Sequence, residues 1–257
     1  MKFKSTLLIA VILTLTSAVF AQKPEPVKPE PIRTAVAAKL PTVKEVLDKY
    51  VKAIGGREAN EKIKTRFMSG TVELSPMGIR GTYETYTAAE SKSFTKMTLT
   101  GIGDMLEGYD GKTAWVINPI QGSRDKTGVE LLQAKINGNF YREINLDKLF
   151  SKIEVKGIEK VGEKDTYVVV ATAEGVPSEI WYFDTVSGLL RRSDITAISP
   201  EGNQPAKVFY EEMRTADGVT GPVKIRTQLP QFEIVMIATD LKQGIAIDES
   251  KFAKPKQ

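Results

Sequence analysis

The chain has 257 residues, a formal net charge of +4, and neither cysteine nor histidine. The absence of cysteine excludes disulfides, thiolate nucleophiles and cysteine-ligated metal sites, and the absence of histidine removes the usual general base and the commonest transition-metal ligand. The charges are nearly balanced and evenly interspersed, which argues against a nucleic-acid partner.

The N-terminus has the pattern of a secretory signal peptide. Lys2 and Lys4 supply its positive charge, residues 7–13 form an apolar run, and Ala21 completes a cleavage motif. The run is too short to span a bilayer permanently, although a membrane anchor is the alternative interpretation. We predict that residues 1–21 are removed on export. Because no cysteine is present to carry a lipid anchor, we expect a soluble periplasmic protein.

A proline-rich segment comes next. Residues 23–31 read KPEPVKPEP, a repeat that favours extended polyproline II structure and cannot pack into a core. We assign residues 22–41 to a flexible linker, which is either a tether or a plain spacer, and residues 42–257 to one folded domain.

The domain opens with an amphipathic helix. Thr42 and Glu45 match a capping box, and apolar residues then recur at helical spacing as far as Ile54. The Gly55-Gly56 pair supplies the left-handed position that ends such a helix. A second short helix is predicted over residues 57–63.

From Thr65 the apolar period changes to two, which predicts strands. Turn residues separate the early strands, and Asp110-Gly111, a two-residue connection between predicted strands over residues 105–109 and 112–117, is the strongest hairpin signal in the chain. Helical spacing returns over residues 128–150. The alternation then resumes over residues 152–160, 166–173, 179–184, 189–198, 206–214, 222–229 and 232–241.

These elements predict a mainly β fold of about eleven antiparallel strands, with an N-terminal helix and a helical insertion. A sheet of this length must curl, close or fold into two layers. If it curls without closing, its apolar face is concave, and only the helices are able to cover that face. The result would be a lidded hydrophobic groove, whereas a two-layer sandwich would show the same alternation.

Four local motifs follow one another along the domain. They are the helix end and strand AIGG and FMSGTV (within residues 53–72), the hairpin EGYDGKTAW (107–115), the hairpin WYFDTVSGLLRR (181–192) and the tail IDESKFAKP (247–255). In this order, behind a signal peptide, they resemble the LolA-like family of periplasmic outer-membrane lipoprotein-sorting carriers. The resemblance implies an unclosed antiparallel β-barrel, capped by helices, whose apolar cavity shields acyl chains. Neither Arg66 nor Arg80 lies in a motif that matches the lid-latching arginine of that family.

Large apolar side chains on the predicted strands are candidates for lining the groove. They are Phe94, Met97, Met105, Trp115, Trp181 and Phe183. The alternative is that they are ordinary core residues. Val129, Leu132 and Ile136 of the insertion form a candidate lid, for which the alternative is a packed helix. Carboxylates such as Glu84 and Glu107 lie on turns or polar strand faces, so we predict no catalytic site, no metal and no cofactor.

We therefore expect a non-enzymatic periplasmic carrier or chaperone that binds the acyl chains of lipoproteins, or other lipids, in a hydrophobic groove. The alternative is a non-catalytic interaction protein of the cell envelope, with a filled β core and a proline-rich tether. In either case we expect a monomer whose partners are lipids or envelope proteins.

Overall fold

The computed structural model describes residues 39–255. The predicted signal peptide and all but the last three residues of the predicted linker lie outside this range. Within it, every helix is too short or too polar to cross a membrane.

Thirteen strands within this range form a single sheet in which neighbouring strands are antiparallel. They are β1 (Thr65–Ser75), β2 (Ile79–Ala88), β3 (Lys92–Leu99), β4 (Gly103–Tyr109), β5 (Ala114–Asn118), β6 (Gly122–Asp125), β7 (Lys152–Val161), β8 (Lys164–Thr172), β9 (Glu179–Asp184), β10 (Leu190–Ala197), β11 (Gln204–Ala216), β12 (Val219–Gln228) and β13 (Glu233–Gln243). The helices of this range are α1 (Val43–Ala53), α2 (Gly56–Lys62), α3 (Gly128–Asn137) and α4 (Leu146–Leu149), with 3-10 turns at Arg142–Ile144 and Glu249–Phe252.

The chain runs through the sheet as two meanders that meet at its centre. Strands β1–β6 proceed from the centre to one edge, and strands β7–β13 return from the other edge until β13 pairs with β1. Strands β6 and β7 are therefore opposite edges, and the barrel is unclosed, as the sequence predicted. The helical insertion joins these two edges, so it must cross one face of the sheet.

We call the face that the helices cover the inner face and the opposite face the outer face. Helix α1 buries Val46, Leu47 and Tyr50 against the inner face of the second meander, in a cluster with Trp181 and Phe183. Residues directly opposite each other on paired strands share a face, so the strand register assigns the other side chains to one face or the other.

Helix α1 forms where the sequence predicts it. The side chain of Thr42 accepts a hydrogen bond from the Glu45 backbone N–H, and the Glu45 carboxylate accepts one from the Thr42 backbone N–H at 2.7 Å. The helix ends before Gly55, which has a φ of +105°. A Cβ at Gly55 would lie 2.0 Å from the carbonyl oxygen of Gly218, so only glycine fits this turn.

The structure has thirteen strands in its sheet, against about eleven predicted. The strand that no predicted segment covers is β6, whose sequence GSRD has no apolar alternation and therefore gave no strand signal. The Asp110-Gly111 hairpin also differs, because its loop has four residues and not two. The Asp110 carboxylate holds this loop by accepting the backbone N–H groups of Lys112 and Thr113 at 2.8 and 2.6 Å.

Candidate functional site

A cavity of about 280 Å³ lies on the inner face, between the sheet and the segments that cross it. Strands β1, β2 and β11–β13 form its floor, helices α1 and α2 form one wall, and residues 140–144 of the insertion form another. The apolar part of its lining includes Ile54, Met68, Phe140, Leu190, Met213, Ile225 and Leu241. Ligand pockets usually measure about 300–1,000 Å³, so this volume suits one small ligand or one short acyl chain.

A second depression, of about 510 Å³, lies on the outer face of the first meander. Its floor consists mostly of polar side chains, among them Ser69, Thr82, Glu84 and Lys96. The smaller cavity of the inner face is therefore the better candidate for an apolar ligand.

Methionines are concentrated on the inner face. Met68 and Met213 line the cavity. Met97, Met105 and Met236 lie farther along the same face and pack with Met68 around Tyr83 and Val72. Among residues 39–255 the one remaining methionine, Met77, lies in an exposed turn. Because methionine is unbranched and polarisable, a surface rich in it adapts to ligands of different shape.

One end of the cavity is bounded by a network of charged groups. Arg142 donates to the Glu179 carboxylate at 2.6 Å and to the Glu143 carboxylate at 3.1 Å. Trp181 donates its indole N–H to Glu179 at 2.7 Å, and the Tyr50 hydroxyl donates to Glu143. The network fixes the insertion to α1 and β9, and so it holds the wall of the cavity in place.

The electrostatics of this network follow from burial and from its two carboxylates. Burial disfavours the charge of Arg142, but Glu143 and Glu179 raise the pKa of its guanidinium above the ordinary value. Burial, together with Glu143, raises the pKa of Tyr50 well above its usual value. Both residues therefore keep one protonation state across the physiological pH range.

Arg66 of β1 differs from Arg142 in having no anionic partner among residues 39–255. Its side chain lines the cavity beside Met68, and its guanidinium carbon lies 5.6 Å from the centre of the Phe140 ring. Within the described range, no hydrogen bond or ion pair satisfies this guanidinium. Burial lowers the pKa of Arg66, and Glu143 opposes that change only from a distance.

Tyr210, which lines the cavity on β11, is expected to make the protein less stable at alkaline pH. Burial, assisted by Glu143, raises the pKa of Tyr210 from 10.0 to about 12. The folded state therefore keeps a proton that the unfolded chain releases, so this contribution is complete below pH 10 and is lost as the pH rises towards 12. We expect the free energy of unfolding to fall by about 1–2 kcal/mol over that interval on account of this group. Urea unfolding at a series of pH values measures this loss, and Tyr210→Phe should make the free energy of unfolding depend less steeply on pH between 10 and 12.

The structure places the six predicted groove residues on the strands away from the cavity lining. Trp115, Trp181 and Phe183 are fully buried, and Phe94 is buried against Trp115. Met97 and Met105 are partly buried on the inner face, next to the cavity floor. Their role in ligand binding stays a prediction.

The three residues of the candidate lid lie on α3. Val129 and Leu132 are exposed, and Ile136 packs against the core that α1 forms with the second meander. The part of the insertion that lines the cavity is the next segment, where Phe140, Tyr141 and Glu143 lie. Movement of α3 as a lid stays a prediction.

Sequence reasoning missed the lining residues that come from β11–β13, such as Tyr210, Ile225 and Gln243. Each lies on a strand with ordinary alternation, so no local signal distinguishes it from a core residue. An arginine within the otherwise apolar inward pattern of β1, at position 66, was the available signal.

These features define a class of protein: an unclosed antiparallel β-barrel, capped by helices, with an apolar cavity on its inner face. The sequence matches no protein-family model and no curated protein. Among solved structures, the chain is similar to a DUF1329 family protein from Desulfovibrio piger, with 15% identity and a TM-score of 0.56 over 82% of this chain and 97% of that one. It is also similar to a LolA superfamily protein from Nitrosomonas europaea, with 15% identity and a TM-score of 0.54 over 84% of this chain and 99% of that one. The likeness is one of fold, and the chain has the LolA-like fold that its motifs predicted.

Proposed function

We propose that this protein is a non-enzymatic carrier or chaperone that binds an acyl chain of a lipid or lipoprotein in the inner-face cavity. The observation that carries the proposal is the apolar cavity between the sheet and the insertion. Burial of apolar surface contributes roughly 0.8 kcal/mol per methylene, so even a short chain gains several kcal/mol on entering it. Export by residues 1–21, the linker over residues 22–41 and a periplasmic location belong to the same proposal.

The insertion is the part of the fold that would admit the ligand. Helix α3 ends at Gly138, where a Cβ would lie 2.7 Å from the Tyr109 ring and 2.8 Å from the Ala134 carbonyl oxygen, so this position favours glycine. The segment that follows supplies Phe140 and Tyr141 to the cavity. Entry of a chain requires this segment, or α3 with it, to move away from the sheet.

Filling the cavity from one of its own residues tests the proposal. Met213→Trp places an indole among the lining residues, and we expect it to reduce the affinity for the uncharged fluorescent probe N-phenyl-naphthylamine by at least about tenfold, or roughly 1.4 kcal/mol. Met77→Trp is the matched control, since Met77 lies in an exposed turn, and its affinity should be unchanged. Fluorescence titration measures both affinities, and thermal unfolding verifies that both variants are folded.

A second experiment asks what the protein carries when it is isolated. Native mass spectrometry of the purified protein should show an added mass that organic extraction releases as an acyl-bearing compound. A preparation that carries no lipid and takes up no probe would contradict the proposal.

The alternative, an interaction protein of the envelope, keeps one specific observation in its favour. Much of the inner face outside the cavity is filled by two side-chain clusters, one under α1 and one around Tyr83. Under this alternative, deletion of residues 22–40 abolishes complex formation with an envelope partner and leaves probe uptake unchanged.

A further inference from the structure

Arg66 is the cavity residue that a purely apolar ligand does not explain. Arg66 is only partly exposed, and a cation that loses part of its hydration without gaining an anion is disfavoured, because the charged form is the one that burial destabilises. Arg142, in the insertion that forms one wall of the cavity, shows the usual solution, since it forms ion pairs with two carboxylates. Arg66 holds none among the residues that the structure describes, and its guanidinium faces the cavity over the Phe140 ring.

The neighbouring acid does not fill this role. The Glu143 carboxylate is already bound by Arg142 and by the Tyr50 hydroxyl. It forms no ion pair with Arg66. The two charged groups of the network that are most buried, Arg142 and Glu179, also compensate each other. Arg66 is thus the cation of this cavity that is left for a ligand.

We propose that Arg66 binds the carboxylate of a single-chain fatty acid whose hydrocarbon tail lies along Met68, Met213 and Ile225. This inference rests on the proposed function and adds the chemistry of the head group to it. A guanidinium pairs with a carboxylate through two parallel N–H to oxygen hydrogen bonds, which gives both affinity and orientation. The tail then points away from the charged network, towards the methionines of the inner face.

The size and charge of the site favour one chain with one negative charge. A cavity of about 280 Å³ is small for a lipid with several acyl chains. A doubly charged phosphate would meet the carboxylate of Glu143, which lines the same cavity, and among the lining residues of the described range only Arg66 is a free cation that would oppose it. A carboxylate carries the single charge that Arg66 neutralises.

An uncharged head group with hydroxyls is the competing ligand. Gln243 lies opposite Arg66 in the sheet, and its Oε1 is a buried acceptor that receives no hydrogen bond from residues 39–255. A hydroxyl would satisfy this oxygen. A hydroxyl would leave the charge of Arg66 without an anion, whereas a carboxylate neutralises it through charge-assisted hydrogen bonds, which are roughly twice as strong as neutral ones. The carboxylate is therefore the better match.

The test compares decanoate with monodecanoylglycerol, which has the same chain and an uncharged head. Each displaces N-phenyl-naphthylamine from protein expressed from the full sequence. We expect decanoate to bind at least about tenfold more tightly, and Arg66→Met to abolish this preference, measured as the ratio of the two ligand affinities within the variant. Arg66→Lys keeps the positive charge but lacks the paired N–H donors of a guanidinium, so it should retain part of the preference. Because it is a conservative change, it also shows whether the result with Arg66→Met is due to misfolding. Arg80→Gln is the control, because Arg80 is exposed and paired with Glu73.

Three outcomes separate this inference from the proposed function. Probe uptake with a preference that Arg66→Met removes supports both. Probe uptake with equal binding of the two ligands, or with a preference that survives Arg66→Met, overturns the carboxylate site alone. Absence of uptake of the probe and of both ligands overturns the proposed function and, with it, the role of Arg66.

Discussion

Arg142→Met is expected to lower the free energy of unfolding by about 3–5 kcal/mol. Glu179 is buried, and Arg142 is its only cationic partner in the described structure, at 2.6 Å. The variant leaves that carboxylate charged, out of water and bound only by the Trp181 indole N–H. It also removes a guanidinium that lies 5.7 Å from the centre of the Phe150 ring. Urea unfolding, followed by tryptophan fluorescence, measures the loss.

Two comparisons decide whether the lost ion pair is the cause. Lys44→Met removes a lysine whose side chain is 84% exposed and which pairs with Asp48 within α1, so it should cost no more than about 0.5 kcal/mol. The double variant Arg142→Met with Glu179→Gln keeps a hydrogen-bond acceptor for Trp181 and removes the unpaired carboxylate. Its free energy of unfolding should therefore be about 2 kcal/mol or more above that of the single variant. If Arg142→Met lowers the free energy of unfolding by less than about 1 kcal/mol, or if the double variant recovers none of the loss, the unpaired carboxylate of Glu179 is not the main cause of the destabilisation.

Phe252→Ala is expected to cost a similar amount, about 3–5 kcal/mol, by detaching the C-terminal segment from the outer face. The Phe252 side chain is fully buried against Ala88, Phe94 and Trp115, and its backbone carbonyl accepts the Trp115 indole N–H at 3.3 Å. Lys251 adds a cation–π contact, with its ammonium nitrogen 4.4 Å from the centre of the Tyr86 ring. Removal of the phenyl ring leaves a cavity on a surface that the sheet alone cannot cover.

The readout of this second variant is the environment of Trp115. In a Trp181→Phe background, Trp115 is the only tryptophan, and its emission should shift to longer wavelength when the C-terminal segment detaches. Val186→Ala is the matched control, since Val186 is 85% exposed and should change stability by less than about 0.5 kcal/mol. Phe252→Ala with unchanged stability and unchanged emission would show that the segment is held by its backbone contacts.

Local sequence signals predicted the elements that local physics controls. The capping box at Thr42, the glycine stop at Gly55 and the period of two from Thr65 onward all appear in the structure as expected. Strand β6 was missed because its four residues are polar and gain their pairing only from β5. The loop after Tyr109 was predicted too short because the Asp110 side chain organises two further residues.

The site was predicted less well than the fold, and the reason is physical. A tryptophan on a strand packs into the core or faces a cavity according to the curvature of the sheet, which no local pattern records. Trp115 is buried because Gly108 on the paired strand leaves room for its ring; a Cβ there would lie 2.3 Å from the indole. The arginine at position 66 was visible in the sequence, but its meaning depends on the absence of a partner nearby, which only the folded arrangement reveals.

The sequence alone determined the class of fold and excluded much chemistry, because composition and periodicity are properties of neighbouring residues. It established a chain without cysteine or histidine, a capped opening helix and a long run of antiparallel strands around a helical insertion. The tertiary structure decided that β1 pairs with β13, which brings together segments about 170 residues apart and sends the insertion across the inner face. That long-range pairing places Arg66 beside the strands that form the cavity floor, and so it creates the candidate site.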